Sequence, residues 1–338
     1  MNFLRGLNSC FPSNRVSQEE IIDLSKNIFK KNKDFSKMLK VYKNSGVNSR
    51  FLINDLNWYK KKHTWKERNF LFKKNSIELL YKSISITLDK SKIAPEKIGG
   101  IVFINTTGIA TPSMDAEIIN LFNFKNDVKR LPIFGYGCAG GVLGLNRAID
   151  LFKCIKKPIL VCNVELCSLT FRPQIFSKAN IVSTALFGDG ASTYLIDSFG
   201  DCKIQKSMDY TWKNTLNLMG WTIEEDGLAV VFDKVIPNFI SKELPLILNA
   251  FTAQKNLGYI LHPGGMKIIN AYKDILNTHE SIEVSEYTLS KYGNVSSVSV
   301  LLVLEEILKR KNYGTFLMSA LGPGFSLGLA KVVIENAN

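Results

Sequence analysis

Continuous apolar runs divide the chain into strands that are buried on both faces. Three runs, rich in β-branched residues and bounded by glycine or proline, predict strands over 98–104, 158–164 and 191–196. Apolar residues spaced three or four apart predict helices over 75–90, 112–122 and 142–152. Such strands alternating with helices are typical of an α/β protein whose helices cover both faces of its sheet.

The second half of the chain repeats this alternation. Its pattern predicts mainly helix over 232–250, a strand over 258–261, helices over 266–276 and 296–310, and closing strands over 315–320 and 327–334. The pattern breaks near 197–215, around Ser198-Phe199-Gly200-Asp201. We therefore predict two similar halves, residues 1–205 and 206–338, each large enough to form a core.

The pattern is less regular near the N-terminus. Ser17 and Glu20 have the spacing of a capping box, which predicts a helix from there to about Lys31. Residues 32–75 are rich in lysine and aromatic side chains and predict only short helical pieces.

The net charge restricts the classes of partner that the protein is expected to bind. The formal net charge of the 338-residue chain is +13, mostly from lysine. A basic surface attracts nucleic acid, an acidic carrier protein or the phosphates of coenzyme A, and it is equally compatible with an ordinary solvated face. No nucleic-acid-binding motif accompanies the lysines, so nucleic acid is the least favoured of these partners.

Other features exclude several classes of protein. No apolar run reaches the roughly 18 residues that a membrane-spanning helix needs, and the apolar stretch at the start is too short for a secretory signal. The six cysteines include no Cys-x-x-Cys pair, which argues against a zinc site and against a disulfide framework. We therefore expect a cytoplasmic protein that holds no metal.

Glycines surround one cysteine in Gly137-Cys138-Ala139-Gly140-Gly141. A strand-like segment, 130–134, precedes it and the helical pattern over 142–152 follows, which predicts that Cys138 lies on a sharp turn at a helix N-terminus. Unpaired backbone N–H groups and the positive end of the helix dipole favour the thiolate there, and the thiolate is the nucleophile. The alternative is an inert core cysteine.

Two further polar residues occupy similar turns. His262 follows the short strand over 258–261, and strand ends line the ligand crevice in α/β folds. Asn294 precedes the next apolar helix. Separately, they fit a hydrogen-bonded loop histidine and a helix N-cap. Together, Cys138, His262 and Asn294 predict an activated nucleophile with two neutral hydrogen-bond donors.

These motifs, in this order, resemble the type III polyketide synthases, the chalcone synthase-like branch of the thiolase superfamily. The matching segments span nearly the whole chain and also include Leu186-Phe187-Gly188-Asp189-Gly190-Ala191, His262-Pro263-Gly264-Gly265, Tyr292-Gly293-Asn294-Val295-Ser296-Ser297 and Gly322-Pro323-Gly324. Segments 106–113 and 164–169 look most like the bacterial alkylpyrone and alkylresorcinol synthases. The resemblance implies a thiolase fold, a layered α-β-α-β-α sandwich.

The resemblance also implies roles for the three turn residues. Cys138 would hold the starter acyl group and then the growing chain, with His262 paired to its thiolate. His262 and Asn294 would donate hydrogen bonds to the thioester carbonyl of malonyl-CoA and stabilise the enolate that forms when carbon dioxide leaves. Donors aimed at a developing oxyanion are usually the largest catalytic contribution.

Further positions match substrate-binding residues of the family. Phe187 matches an aromatic gatekeeper between the coenzyme A tunnel and the cavity. Thr106 and Thr107 match residues that line the cavity, and Gly322, Pro323 and Gly324 match a loop that shapes the cyclisation pocket. Among basic residues, Arg50 is the candidate for a contact with a coenzyme A phosphate.

The sequence departs from the plant enzymes at several positions. A valine in 227–232 stands near the second gatekeeper phenylalanine, which we leave unassigned. Thr111 stands where plant enzymes carry a methionine that enters the partner's cavity, and Ala320 and Leu321 replace a glycine and a phenylalanine. The smaller side chains of the valine and of Thr111 favour a tunnel for a fatty acyl chain over a site for an aromatic starter.

The resemblance implies a homodimer that extends an acyl-CoA starter repeatedly with malonyl-CoA and releases an alkylpyrone or alkylresorcinol. Such an enzyme uses coenzyme A thioesters as substrates and needs no cofactor, and an acyl carrier protein is a possible donor of the acyl group. Three alternatives stay open: a priming β-ketoacyl-carrier-protein synthase of fatty-acid synthesis, a non-catalytic scaffold of the same fold, and a nucleic-acid binder. The Pro263-Gly264-Gly265 sequence after His262 argues against the first, and the intact Cys138, His262 and Asn294 set against the second.

Overall fold

A computed structural model describes residues 1–254, 256–278 and 282–336. The strands are β1 (Asn2–Cys10), β2 (Asn14–Ser17), β3 (Ser49–Leu52), β4 (Gly100–Asn105), β5 (Lys129–Phe134), β6 (Ile159–Leu166), β7 (Asp189–Asp197), β8 (Cys202–Thr211), β9 (Met219–Glu224), β10 (Gly227–Phe232), β11 (Gly258–Leu261), β12 (Gly314–Gly322) and β13 (Ser326–Ile334). The helices are α1 (Gln18–Phe29), α2 (Phe35–Lys43), α3 (Trp65–Lys90), α4 (Met114–Leu121), α5 (Gly140–Ile155), α6 (Lys178–Leu186), α7 (Ile236–Phe251), α8 (Met266–Leu276), α9 (Glu283–Tyr292) and α10 (Ser299–Lys309).

A nine-stranded sheet of order β11-β12-β13-β8-β1-β7-β6-β4-β5 contains the same pairing pattern twice. In the first half β4 is parallel to β6, and β6, β7 and β1 are successively antiparallel. In the second half β11 is parallel to β12, and β12, β13 and β8 are successively antiparallel. Helix α5 precedes β6 as α10 precedes β12. The prediction of two similar halves is therefore confirmed.

Apolar packing arranges these elements in five layers. Helices α5 and α10 lie in the middle, where Leu145 and Leu304 share one core with Val161 of β6 and Met318 of β12. Helices α3 and α4 cover the outer face of the first-half strands. Helices α7 and α8 cover the outer face of the second-half strands. The predicted α-β-α-β-α sandwich is confirmed, and hydrogen bonds between β1 and β8 join its two sheet layers at one seam.

Several predicted elements match the structure and others shift. Strand β11 and helix α8 have the predicted bounds. The helix predicted over 75–90 begins at Trp65, because Thr64 and Glu67 form a capping box. The helix predicted from 232 begins at Ile236, because the preceding residues form β10. The predicted division at 205 falls inside β8, whereas the repeated pairing pattern begins at the start of that strand; the division into two domains stays a prediction.

Two smaller units flank the sandwich on the first-half side. Helices α1, α2 and α6 share a separate apolar cluster, and α1 begins with the predicted Ser17–Glu20 capping box. Strands β9 and β10 form a hairpin outside the main sheet. Among the helices that the structure describes, none has the length and apolar character needed to cross a membrane.

Candidate active site

Two turns at equivalent places in the repeat meet in the centre of the molecule. The turn over Gly137–Ala139 precedes α5, and the turn over Ser296–Val298 precedes α10. A Cβ atom on Gly141 would lie 2.4 Å from the backbone oxygen of Ser297, so only glycine allows this approach. The glycines after the cysteine therefore bring the turns of Cys138 and Asn294 together.

Cys138 lies on the first turn with its side chain almost fully buried. Its Sγ atom is 4.0 Å from Oδ1 of Asn294, in reach of a weak S–H···O hydrogen bond. The hydroxyl of Thr106 accepts a hydrogen bond from the Gly137 amide at 2.9 Å. The predicted meeting of Cys138 and Asn294 is present in the structure, but only Cys138 lies at a strand-to-helix turn, because Asn294 lies between helices α9 and α10.

The protonation of Cys138 differs from the sequence-based expectation. Burial raises the pKa of the thiol to about 12, and the carboxylate of Glu165 acts in the same direction, whereas hydrogen bonds involving Ser296 and Asn294 lower it. The sequence predicts that the helix N-terminus favours the thiolate. In the free protein, burial acts in the opposite direction and has a larger effect on the pKa than the hydrogen bonds.

His262 is buried and has unused hydrogen-bonding capacity. Its exposed fraction is 4%, and neither Nδ1 nor Nε2 has a hydrogen-bond partner among the described residues. Burial lowers the pKa of the imidazole to about 3, so the ring is neutral at physiological pH. A buried ring without partners is a place where a bound ligand supplies the missing hydrogen bonds.

The backbone fixes Asn294 beside His262. The Asn294 amide donates to the Leu186 carbonyl at 2.7 Å, and the Gly188 amide donates to the Asn294 carbonyl at 3.0 Å. Nδ2 of Asn294 donates to the carbonyl of Gly264 at 3.3 Å, and a Cβ on Gly264 would lie 3.5 Å from Nε2 of His262. Gly264 therefore contacts both side chains, which leaves one N–H of the Asn294 amide for a ligand.

A buried glutamate that the sequence analysis did not single out lies beneath these turns. Glu165, at the end of β6, accepts hydrogen bonds from the Thr106 amide, the Thr107 hydroxyl and the Ser297 hydroxyl, at 3.0, 3.0 and 2.8 Å. Burial raises the pKa of its carboxyl to about 7, although those hydrogen bonds lower it. In the sequence, the one indication of this buried carboxyl group is a glutamate at the end of a strand-like apolar run.

The remaining predicted cavity residues gather at the same place. Thr107 also accepts a hydrogen bond from the Leu166 amide at 2.9 Å. A Cβ on Gly322 would lie 2.4 Å from the Tyr136 carbonyl, and a Cβ on Gly137 would lie 2.6 Å from Cδ of Pro323. The segment Gly322-Pro323-Gly324 thus packs directly on the cysteine turn.

Phe187 follows helix α6 directly and lies beside Asn294. It forms an isolated bridge with Asn294, and its ring meets the rings of Trp221 and Phe232, 6.1 and 6.0 Å away between centroids. Those two residues belong to the β9–β10 hairpin. Phe187 therefore connects the turn of Asn294 to an aromatic cluster.

Arg50 is not at a coenzyme A phosphate site, as the resemblance implied, but is buried at the end of helix α6. Its side chain is fully buried, and its guanidinium donates to the carbonyls of Thr184, Ala185 and Phe187 at 2.9, 3.0 and 3.2 Å and also to Gln18. These carbonyls end helix α6. A guanidinium enclosed in this way is not placed to meet a phosphate of coenzyme A, so we correct that assignment.

The ionisable residues do not form a metal-binding cluster in the part of the chain that the structure describes. The chemistry that the Cys138, His262 and Asn294 side chains offer is that of a thiol, a neutral imidazole and a carboxamide, all of them buried. A thiol can form a thioester with an acyl group, and two neutral donors can stabilise an oxyanion.

Family models match almost the whole chain. The model for the N-terminal domain of chalcone and stilbene synthases matches residues 4–199, and the model for their C-terminal domain matches residues 203–333. The chain belongs to the chalcone and stilbene synthase family. As a family member the protein is a type III polyketide synthase, an acyltransferase that condenses malonyl-CoA units.

Individual relatives also match the chain over nearly its whole length. A relative from Bacillus subtilis (strain 168) is 31% identical and the match covers 96% of this chain and 97% of that protein. The 1,3,6,8-tetrahydroxynaphthalene synthase of Streptomyces peucetius subsp. caesius is also 31% identical, covering 94% and 89%. The solved structure of 1,3,6,8-tetrahydroxynaphthalene synthase from Streptomyces coelicolor A3(2), a bacterial type III polyketide synthase, superimposes with a TM-score of 0.92 over 99% of both chains, at 22% identity. This synthase therefore has the predicted thiolase-like fold.

Proposed function

We propose that this synthase extends an acyl-CoA starter, most favourably a fatty acyl-CoA, with malonyl-CoA and closes the product to an alkylpyrone or alkylresorcinol. The observation that carries the assignment of residues is the buried, neutral His262 with two unpartnered ring nitrogens, beside Asn294 and its contact with Cys138. The starter class rests on Thr111 and Leu321, which are smaller than the methionine and the phenylalanine that plant enzymes carry at these positions.

The reaction begins at Cys138. Its sulfur attacks the starter thioester, the coenzyme A thiol leaves, and the acyl group becomes a thioester of Cys138. Because burial raises the pKa of the free thiol, the thiol is protonated before substrate arrives, and its proton passes to the departing coenzyme A sulfur. His262, neutral for the same reason of burial, supports this exchange through hydrogen bonds and not through a resting ion pair.

Extension then uses His262 and Asn294. Malonyl-CoA loses carbon dioxide, and negative charge develops on its thioester oxygen. The His262 ring N–H and the free N–H of the Asn294 amide stabilise that enolate, whose carbon attacks the acyl group on Cys138. The Cys138 sulfur leaves, and the lengthened chain returns from coenzyme A to Cys138 for the next cycle. Ring closure ends the sequence.

The gatekeeper and pocket assignments complete the proposal. Phe187 separates the coenzyme A entrance from the cavity, Thr106 and Thr107 line that cavity, and the 322–324 segment shapes its floor for ring closure. Edge strand β5 leaves Phe134 half exposed, which supports the further proposal that the synthase is a homodimer.

The test is mass spectrometry of the products formed from malonyl-CoA and a ladder of acyl-CoA starters, short to long. Cys138→Ala is expected to form no extended product, with Cys154→Ser, an exposed cysteine, as the matched control. His262→Ala and Asn294→Ala are each expected to slow malonyl-CoA decarboxylation roughly 10²–10³-fold, the usual loss when one oxyanion donor is removed.

Other outcomes would redirect the proposal. A single β-ketoacyl product, or activity only with a carrier protein, would indicate a priming synthase. Polyhydroxylated rings built from malonyl-CoA without a starter would indicate a product class nearer to that named for the tetrahydroxynaphthalene synthases. Normal decarboxylation by either donor variant would refute the role of that residue.

A further inference from the structure

The β9–β10 hairpin carries the two rings that close over Phe187. Trp221 lies on β9 and Phe232 at the end of β10, and both meet the Phe187 ring edge to face, at interplanar angles of 65° and 64°. Within the described part of the chain, β9 and β10 pair only with each other and are not part of the nine-stranded sheet. Its outer face is open to solvent, since Ile223 is 70% exposed. The position of these rings therefore depends on how the hairpin is held from its inner side.

An ion cluster holds the turn of the hairpin. Asp226 lies in the turn between β9 and β10, and its Oδ1 is 2.5 Å from Nη2 of Arg172, with both side chains more than four-fifths buried. The side chain of Arg68, from α3, lies under the next residue, because a Cβ on Gly227 would be 3.4 Å from Cδ of Arg68. The turn is thus joined to Arg172 by an ion pair and packs on the side chain of Arg68.

Arg68 also fixes this cluster to the segment that leads away from the active site. Its Nη1 donates to the carbonyls of Leu169 and Phe171 at 2.6 and 2.7 Å. Arg172 follows directly in that segment. At the opposite end of the hairpin, the Asp233 amide donates to the Leu218 carbonyl at 2.9 Å. The hairpin is therefore pinned at its turn and closed at its base.

The ionic attachment of the turn depends on the charge of the Asp226 carboxylate. Burial raises its pKa, but the hydrogen bond and charge of Arg172 and the charge of Arg68 outweigh this, and the net pKa is lowered. The two guanidiniums also act on each other, since the charge of Arg172 contributes to lowering the pKa of Arg68. Without the carboxylate, two partly buried positive charges would face each other, and the turn would have no ionic attachment.

We propose that Asp226, Arg172 and Arg68 form a clamp that positions the β9–β10 hairpin over Phe187 and thereby sets which starter acyl chains the synthase accepts. The three residues are positioning residues, because none of them lies among the reacting groups. The inference rests on the proposed function, since it concerns how the same site selects its starter.

The experiment compares Asp226→Asn, which keeps the shape and removes the charge, with Glu225→Gln, the exposed neighbour in the same turn. The catalytic efficiency is measured with each acyl-CoA of the ladder, alongside malonyl-CoA decarboxylation without a starter. One methylene in a close-fitting apolar pocket is worth roughly 10–200-fold in discrimination. We expect Asp226→Asn to flatten the ratio between best and worst starters about tenfold, mainly through KM, with decarboxylation unchanged; Glu225→Gln is expected to keep the wild-type profile.

A second measurement separates this inference from the proposed function. Binding of the same acyl-CoA ladder is measured in a Cys138→Ala background, where no product has to form. We expect Asp226→Asn to weaken the dependence of Kd on chain length there also, and the exchanged pair Arg172→Asp with Asp226→Arg to restore part of it. An unchanged chain-length dependence in Asp226→Asn, whether or not the variant is less stable, would overturn the clamp. Failure of the wild-type protein to extend any starter would instead remove the proposed function.

Discussion

Opposing effects act on the titratable side chains of the site at the scale of single residues. A helix N-terminus and hydrogen bonds favour the charged form of Cys138, and burial favours the neutral form. Burial has the larger effect, as it has for His262, so both groups are neutral before substrate binds. Because the thiolate is the reactive form, the neutral Cys138 thiol is expected to react slowly with alkylating reagents in the free protein.

Glu165 provides a prediction at this scale. Its pKa is raised from 4.5 to about 7 in the folded protein, so the folded state binds a proton that the unfolded chain has already lost. Its contribution to stability is therefore full below about pH 4.5 and is lost as the pH rises through 7. Glu165→Gln keeps the shape of the side chain and removes the titration. Between pH 5 and pH 8 its free energy of unfolding is expected to fall less than that of the wild type, and the difference between the two falls is on the order of 1–3 kcal/mol.

Urea denaturation at a series of pH values measures this difference. Glu225→Gln, which alters an exposed glutamate, serves as the control and should follow the wild-type curve. Parallel curves for wild type and Glu165→Gln would show that Glu165 does not bind the additional proton in the folded state.

The sequence allowed the identity of Cys138, His262 and Asn294 to be predicted, because each stands in a distinctive turn motif. It did not allow the role of Arg50 or the network of Glu165 to be predicted. Both depend on side chains that become neighbours only after β3 packs against α6 and β6 against the turn before α10. A buried arginine and a phosphate-binding arginine look the same in a sequence.

Arg50 shows the importance of helix ends at the scale of elements. The last carbonyls of a helix have no intrahelical partner, and a cation near them is favoured by the helix dipole. Arg50 supplies both the hydrogen bonds and the charge at the end of α6. Helix α6 in turn places Phe187 and accepts the backbone of Asn294 through Leu186.

Arg50→Met should accordingly destabilise the synthase by about 3 kcal/mol, because it leaves several buried carbonyls without donors. Arg15→Met is the matched control, since Arg15 lies on the paired strand β2 and is exposed, and its guanidinium donates to the Ser49 hydroxyl and to no buried carbonyl of the described residues. The free energy of unfolding from urea titrations distinguishes the two. Equal effects would mean that the capping bonds of Arg50 contribute little.

Elements with strong local signals were predictable and those that depend on the rest of the fold were not. Strand β11 and helix α8 have clear periodicity and clear ends. Strand β1 contains polar residues and Gly6, and it pairs with a register shift against β7. Its position inside the sheet is determined by residues far along the chain, which no local pattern reveals. The start of α3 was available from its capping box.

The repeated arrangement of the two halves governs the molecule as a whole. It brings the turn before α5 and the turn before α10 to the same place, so each half supplies part of one site. It also leaves β5 at the edge of the sheet, with one side unpaired and Phe134 exposed. Exposed edges of this kind are usually covered in native proteins.

The proposed homodimer follows at this scale and is open to direct test. Light scattering coupled to size-exclusion chromatography should give a mass of twice the 38.0 kDa of the chain. Phe134→Lys is expected to shift the mass towards the monomer, because it places a charge at the edge strand. Leu246→Lys, on the exposed side of α7, is the control and should leave the mass unchanged. A monomer at micromolar wild-type concentration would refute the dimer.

The seam at β1 has a consequence for how the protein is made. Ser9 and Ser192, which are bonded across β1 and β7, are 183 residues apart, and Gly6 and Asp201 are 195 apart. At about 5–20 residues per second, the ribosome delivers the partners of β1 roughly 10–40 s after β1 itself. During that interval the core around Leu4 and Leu7 is incomplete, because Tyr194 and Ile204 belong to it and have not been made. A nascent chain that stalls before β8 is made should therefore hold β1 with one of its two neighbouring strands missing, and part of this apolar core should be open to solvent.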